Sequence, residues 1–171
     1  MDFRELSRAR FSVRQYADRP VEEEKLRKVL EAGRLAPTAC NNQPVRVLVV
    51  KGEEALAALR GATPMQYGAP VSLVVCYDVD EVWHNKREEG YDSGEMDASI
   101  VCDEMMLQAT ELGLATLWAR GYRAADIAEA LDVPENLRVV CMLDLGYAAE
   151  GVEPTANHDS RRPLSETVIE L

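Results

Sequence analysis

The sequence predicts one domain built of both helices and strands, and three observations lead there. Residues 45–50, 71–77, 114–119 and 137–145 are short apolar runs rich in Val and Leu, with little to offer solvent, and they read as inner strands. Between them lie stretches of helical period, the longest over residues 94–112. The 171 residues are 47% hydrophobic and contain no low-complexity segment and no internal repeat, which fits a single core spanning 1–171.

Taken in order, residues 2–9 form an opening helix capped by Asp2. Asp18-Arg19-Pro20 punctuates the chain. Residues 21–36 are a helix with Leu26, Val29, Leu30 and Gly33 on one stripe, ended by Pro37. The loop over 37–44 packs short polar side chains between two prolines; it suits hydrogen bonding to a planar ring and equally suits an ordinary turn. After the strand at 45–50 and a short helix at 53–60, Gly68-Ala69-Pro70 introduces the strand at 71–77. Residues 78–91 hold Trp83 and His84 among charges without a period and read as a flexible excursion, a candidate lid. The helix over 94–112 confines Asp97, Glu104, Gln108 and Glu111 to one narrow stripe. Burial on more than one side follows, against a sheet or a second subunit. Gly113 ends it. A strand at 114–119, a turn at Arg120-Gly121, a helix at 123–131 and a strand at 137–145 complete the regular elements. In the tail, 146–171, Val168 and Ile169 are candidates to pair with another strand.

Charge and cysteine usage narrow the function. A formal net charge of −11, from 30 acids against 19 Lys and Arg, argues against a nucleic-acid surface. There is neither a long apolar run nor a basic, apolar N-terminal leader, so the sequence reads as cytoplasmic, without a membrane span. Cys40, Cys76, Cys102 and Cys141 form no Cys-x-x-Cys, and His84 and His158 are the only imidazoles, which argues against a metal site. Cys76 and Cys141 lie in apolar runs and read as core residues. Against this acidic background the N-terminus carries Arg4, Arg8, Arg10, Arg14 and Arg19 opposite only Asp2, Glu5 and Asp18. Guanidinium forks beside the Ser12 hydroxyl make a candidate clamp for a phosphorylated cofactor. Alone, such arginines also read as a solvated helix face.

The order of several pieces resembles the FMN-dependent nitroreductase family. They are Arg10-Phe11-Ser12-Val13-Arg14-Gln15-Tyr16; Ala36-Pro37-Thr38 followed by Asn41, Gln43 and Pro44; Gly-Leu-Ala-Thr at 113–116; the strand segment at 134–146; and Arg161-Arg162-Pro163-Leu164. The resemblance implies an α+β fold with a central mixed β-sheet flanked by helices, assembled as an intertwined homodimer with FMN at the subunit interface. It implies that Arg10 and Ser12, with Arg161 or Arg162, hold the FMN phosphate beside Phe11. Arg14 falls where the family places a cation near N1 and O2 of the ring. Pro37, Thr38, Ala39, Asn41 and Gln43 meet the ring from the partner subunit, and backbone amides near Arg120 and Gly121 face N5. The implied activity is ping-pong reduction of a nitroaromatic, quinone or related electron-poor small molecule by NAD(P)H, with no catalytic side chain and with Cys40 a neighbour rather than a nucleophile. An FMN store or sensor, and an ene-reductase or dehalogenase branch of the family, are the alternatives. Departures from the family pattern are Ala115 for a frequent glycine, Val45 for a frequent tryptophan, Phe11 for a polar residue, and Asp159 where some members carry a second cation.

Overall fold

In the computed structural model, which describes residues 1–171, the four apolar runs form one sheet. Strands β1 (Val45–Val50), β2 (Val71–Asp78), β3 (Ala115–Ala119) and β4 (Leu137–Gly146) stand in the order β1-β2-β4-β3. Both inner strands, β2 and β4, are buried almost throughout, which is why their sequences lack the alternation of a half-exposed strand. All three ladders are antiparallel. The mixed character expected of the sheet comes down to one parallel bridge between Ser12 and Thr116, which lays the N-terminal segment along β3. Strand β1 has no strand partner on its outer side within the chain.

Helices cover both faces. Helix α1 (Phe3–Ala9) starts in a capping box: Asp2 accepts the Glu5 N–H at 2.9 Å and Glu5 accepts the Asp2 N–H at 2.8 Å. Helices α2 (Glu23–Leu35) and α4 (Gly94–Glu111) place Leu26, Val29, Val101, Cys102 and Met105 on Leu73, Val75, Leu143 and Leu145. On the other face, α3 (Glu53–Ala62) and α5 (Ala124–Ala130) set Leu56, Leu59 and Ile127 against Val74, Leu117, Val139 and Met142. The two sets alternate along β2, as a period of two requires. A register shift at Val75/Cys76 interrupts the ladder, so Val140 and the following Cys141 both join the α4 side. Gly113, at φ +73, reverses the chain after α4 in the left-handed conformation that glycine adopts most freely.

Three expectations are modified. The double-sided burial of α4 is incomplete: Ala98, Val101, Cys102, Met105 and Ala109 are buried, whereas Ile100 and Leu107 are half-buried and Met96 is exposed. The excursion after β2 is internally bonded. Ser93 N–H donates to Trp83 O at 3.0 Å, Asn85 N–H to Tyr91 O at 3.0 Å, Trp83 meets Tyr91 edge-on at 6.5 Å, and Val82 is buried. Hydrogen-bonded turns carry no hydrophobic period, so no sequence pattern announces them. In the tail a short helix α6 (Leu164–Thr167) precedes Val168 and Ile169, which are exposed and pair with no strand of this chain. Cys76, Cys102 and Cys141 are free and buried, and Cys40 is free and exposed. No helix is long and apolar enough to cross a membrane.

Candidate functional site

The N-terminal arginines reach a common cleft because the chain leaves α1 in extended form. Arg10 is the C-terminal cap of α1, its N–H donating to Leu6 O at 3.1 Å. Three residues on, Val13 is buried and its N–H donates to Thr116 O at 2.9 Å, pinning the segment to β3. Its neighbours Ser12 and Arg14 are exposed, as extended alternation dictates, and line the cleft.

The other wall comes from the tail. Thr155, Asn157, His158 and Arg161 close a space of about 250 Å³ with Arg10, Phe11, Ser12 and Arg14. His158 Nε2 lies 2.8 Å from Arg8 O; since a carbonyl only accepts, Nε2 carries the proton. The His158 ring also meets Phe11 edge-on at 6.1 Å. Arg161 donates to the carbonyl oxygens of His158 and Ser160. Arg162 does not line the cleft, and its guanidinium lies 3.9 Å from Glu166. Thr155, Asn157 and His158 were missed by sequence reasoning. Their only sequence signal was their nearness to the Arg161-Arg162 pair.

The cleft gathers positive charge in an acidic protein. Arg10, Arg14 and Arg161 have no carboxylate partner, whereas Arg19, Arg34, Arg46, Arg123 and Arg162 each lie within ion-pair distance of one. Three unneutralised guanidinium groups with the Ser12 hydroxyl and the Thr155 and Asn157 side chains form a donor-rich set around a small space. That is the chemistry a phosphate dianion requires.

Beneath the segment lies a group the sequence reading did not single out. Asp144, on β4, is fully buried; Ser72 Oγ donates to its Oδ1 at 2.6 Å and its Oδ2 has no partner. Burial, only partly offset by the Ser72 bond, pushes its acid up to about 8. Tyr16 packs nearby, against Gly146, where a Cβ would stand 2.8 Å from its ring. Burial raises the Tyr16 phenol, and Asp144 adds to the rise.

The remaining sequence-predicted residues lie apart from this cleft. Thr38 and Gln43 line a different cavity, of about 340 Å³, with Leu30, Val45 and Val47. Pro37, Cys40 and Asn41 are on the surface, and Ala39 N–H donates to Asp97 Oδ1 at 2.9 Å. Arg120 and Gly121 sit beyond the far end of β3, whose five residues span about 16 Å from the cleft side. Arg120 folds back on Tyr122, donating to its carbonyl at 3.0 Å. A Cβ on Gly121 would stand 3.1 Å from Met65 Sδ, so the missing side chain admits Met65 to the turn.

Comparison with known proteins places this geometry. The pattern describing the Nitroreductase family matches residues 7–64 and 55–147. The chain belongs to that family. A nitroreductase family protein from Clostridium difficile 630, known from its crystal structure, is 42% identical and superposes with a TM-score of 0.91 over 99% of this chain and 98% of its own. A Desulfovibrio desulfuricans structure solved in complex with FMN is 29% identical, with a TM-score of 0.83 over 100% of this chain and 97% of its own. The FMN reductase (NAD(P)H) of Bacillus subtilis is 31% identical over 156 residues, covering 81% of this chain and 63% of that protein. Within the chain, Arg10, Ser12, Arg14 and Arg161 line one cleft, while Thr38 and Gln43 of the loop at 37–43 line another.

Proposed function

We propose that this chain, as a single domain over residues 1–171, is an FMN-dependent oxidoreductase that uses NAD(P)H to reduce electron-poor small molecules such as nitroaromatics or quinones. The observation that carries the reading is the cleft in which Arg10, Arg14 and Arg161 stand without carboxylate partners beside Ser12, in a chain of net charge −11. The donor set fits the phosphate of FMN. An FMN complex in one structural relative and the name of the Bacillus relative support the same cofactor and donor.

The cleft supports the phosphate roles, and the family resemblance supports those at the ring. Arg10, Ser12 and Arg161 bind the phosphate by charge-assisted hydrogen bonds, which offset its desolvation. Phe11 flanks them, and Arg162 is the weaker candidate because it faces Glu166. Arg14 supplies the positive charge at the pyrimidine edge of the ring and so favours the reduced cofactor. The backbone at Arg120-Gly121 holds the far edge. Bound FMN would supply the redox chemistry that links NAD(P)H to the acceptor. The chain contributes position and electrostatics, without a dedicated acid or base.

The loop residues Pro37, Thr38, Ala39, Asn41 and Gln43 are assigned to the ring of a second subunit, in a homodimer with FMN at its interface. Two observations support the dimer: the loop stands apart from the cleft of its own chain, and Met96, Ile100 and Leu107 leave an apolar flank of α4 partly uncovered. Free cysteines suit a reducing compartment, which is the basis for a cytoplasmic assignment.

The test is anaerobic titration of the FMN-loaded protein with NADH and NADPH, followed by flavin absorbance. Bleaching that reverses on adding a nitroaromatic or quinone is expected. FMN binding without bleaching would replace the enzyme with a flavin store, and no binding would remove the cofactor assignment. Potentiometry separates the role of Arg14: Arg14→Ala should lower the two-electron potential of the bound flavin, and an unchanged potential would reassign it.

A further inference from the structure

The loop at 37–43 holds a conformation its sequence does not favour. Cys40, Asn41 and Gln43 lie at φ 52, 56 and 54, three non-glycine residues in the left-handed region within four positions. Asn tolerates that region; Cys and Gln crowd their Cβ against the following carbonyl. A loop of this kind persists only where its surroundings over-determine it.

Most of those surroundings converge on two groups outside the loop. Asp97, in the first turn of α4, is 2% exposed. Its Oδ1 accepts the Ala39 N–H at 2.9 Å, and its Oδ2 accepts the Ser93 hydroxyl at 2.7 Å. The positive end of α4 favours an anion at this position. The second group is Glu81: its carbonyl accepts Asn42 Nδ2–H at 3.0 Å and its carboxylate pairs with Arg46. Inside the loop, Thr38 Oγ1 accepts the Gln43 N–H at 3.0 Å.

Both groups also fix the excursion that follows β2. Glu81 lies within it. Ser93 ends it, bonding to Trp83 O through its N–H and to Asp97 through its hydroxyl. One buried carboxylate therefore holds the loop at Ala39 and the excursion at Ser93.

We infer that Asp97 is a positioning residue that presets the Thr38–Asn41 loop for the flavin ring of the other subunit and ties the setting of that loop to the excursion at 79–93. The inference rests on the assignment of the loop to the ring. Its consequence is that the excursion governs the ring contact through the Ser93–Asp97 bond, even where none of its side chains touches the ring.

The test uses the full-length, FMN-loaded protein with Asp97→Ala, Asp97→Asn, Ser93→Ala and, as a reference, Arg10→Ala. Three quantities are read: hydrogen exchange at the Ala39 amide, FMN affinity by fluorescence titration, and the visible circular dichroism of the flavin. Asp97→Ala should speed Ala39 exchange and weaken FMN, each by about tenfold, with an altered dichroism band. Asp97→Asn keeps an acceptor for Ala39 and should restore affinity to within about threefold of the parent. Ser93→Ala leaves the carboxylate in place and should shift the dichroism with a smaller loss of affinity; it carries the test if Asp97→Ala fails to fold.

Unchanged Ala39 exchange in Asp97→Ala, or unchanged dichroism in Ser93→Ala, overturns the inference. If Arg10→Ala weakens FMN while Asp97→Ala leaves affinity and dichroism as in the parent, the positioning role alone falls. If both leave FMN binding untouched, the flavin assignment falls first and the inference with it.

Discussion

At the scale of single residues, what marks the cleft is that three arginines without carboxylate partners converge on one small space. Arg10 contributes one of the three guanidinium groups lining the cleft, none of which meets a carboxylate, so its removal subtracts a charge-assisted bond rather than a surface ion pair. Arg10→Ala should weaken FMN retention by about 2 kcal/mol, roughly 30-fold, in a fluorescence titration. Riboflavin, which lacks the phosphate, should bind both proteins alike. Asp144 makes a separate prediction about pH. Its folded pKa of about 8 lies above the ordinary carboxylate value, so between about 4 and 8 the folded state holds a proton that the unfolded state has released. Stability from this group is therefore complete at acid pH and lost as pH rises toward 8. Asp144→Asn should remove that slope: the melting temperature of the variant minus that of the parent should increase from pH 5 to pH 8. A constant difference would mean that the carboxyl is already charged.

At the scale of elements, α4 sets more of the molecule than any other helix. It buries one face on the sheet, presents Asp97 to the loop, and begins where space is tightest. A Cβ on Gly94, its first residue, would stand 2.4 Å from the ring of Tyr77 on β2. Gly94→Ala should therefore destabilise by about 1–3 kcal/mol despite the better helix propensity of alanine. Calorimetry should register the loss, and most of it should disappear in a Tyr77→Leu background, where no ring opposes the methyl. The strands and α4 were legible in sequence to within a residue or two, because continuous apolar runs and a long helical period survive without knowledge of their neighbours. The loop at 37–43 was legible only as a loop. Its left-handed residues are imposed by bonds from Asp97 and Glu81, which no local pattern announces.

At the scale of the whole molecule, the protomer leaves unfinished surfaces. Strand β1 has no strand on its outer side, α4 leaves Met96, Ile100 and Leu107 partly uncovered, and Leu164, Val168, Ile169 and Leu171 are exposed in the tail. An obligate homodimer that covers such surfaces buries on the order of 2,000 Å² or more. Sedimentation velocity should find a species of twice the 19.0 kDa of one chain. Met96→Glu puts a charge on the α4 flank and should shift the equilibrium toward monomer, with loss of FMN in step. A variant that stays dimeric would move the interface elsewhere.

The kinds of element, their order and the arginine-serine cluster are readable from residue order alone, because periodicity, apolar density and local charge excess are properties of neighbouring residues. Residue order also carries the family resemblance, which lies in the order of short motifs. Which distant residues meet is set by the folded chain. His158 bonds Arg8 across 150 positions, Asp97 holds Ala39 across 58, and Ser72 donates to Asp144 across 72. Those pairings follow from strand register and from where α4 and the tail come to rest, and from them come the choice of Arg161 over Arg162, the set of the loop and the raised acid of Asp144. A hydrogen bond needs atoms about 3 Å apart, and folding brings such separated residues together by burying other parts of the chain.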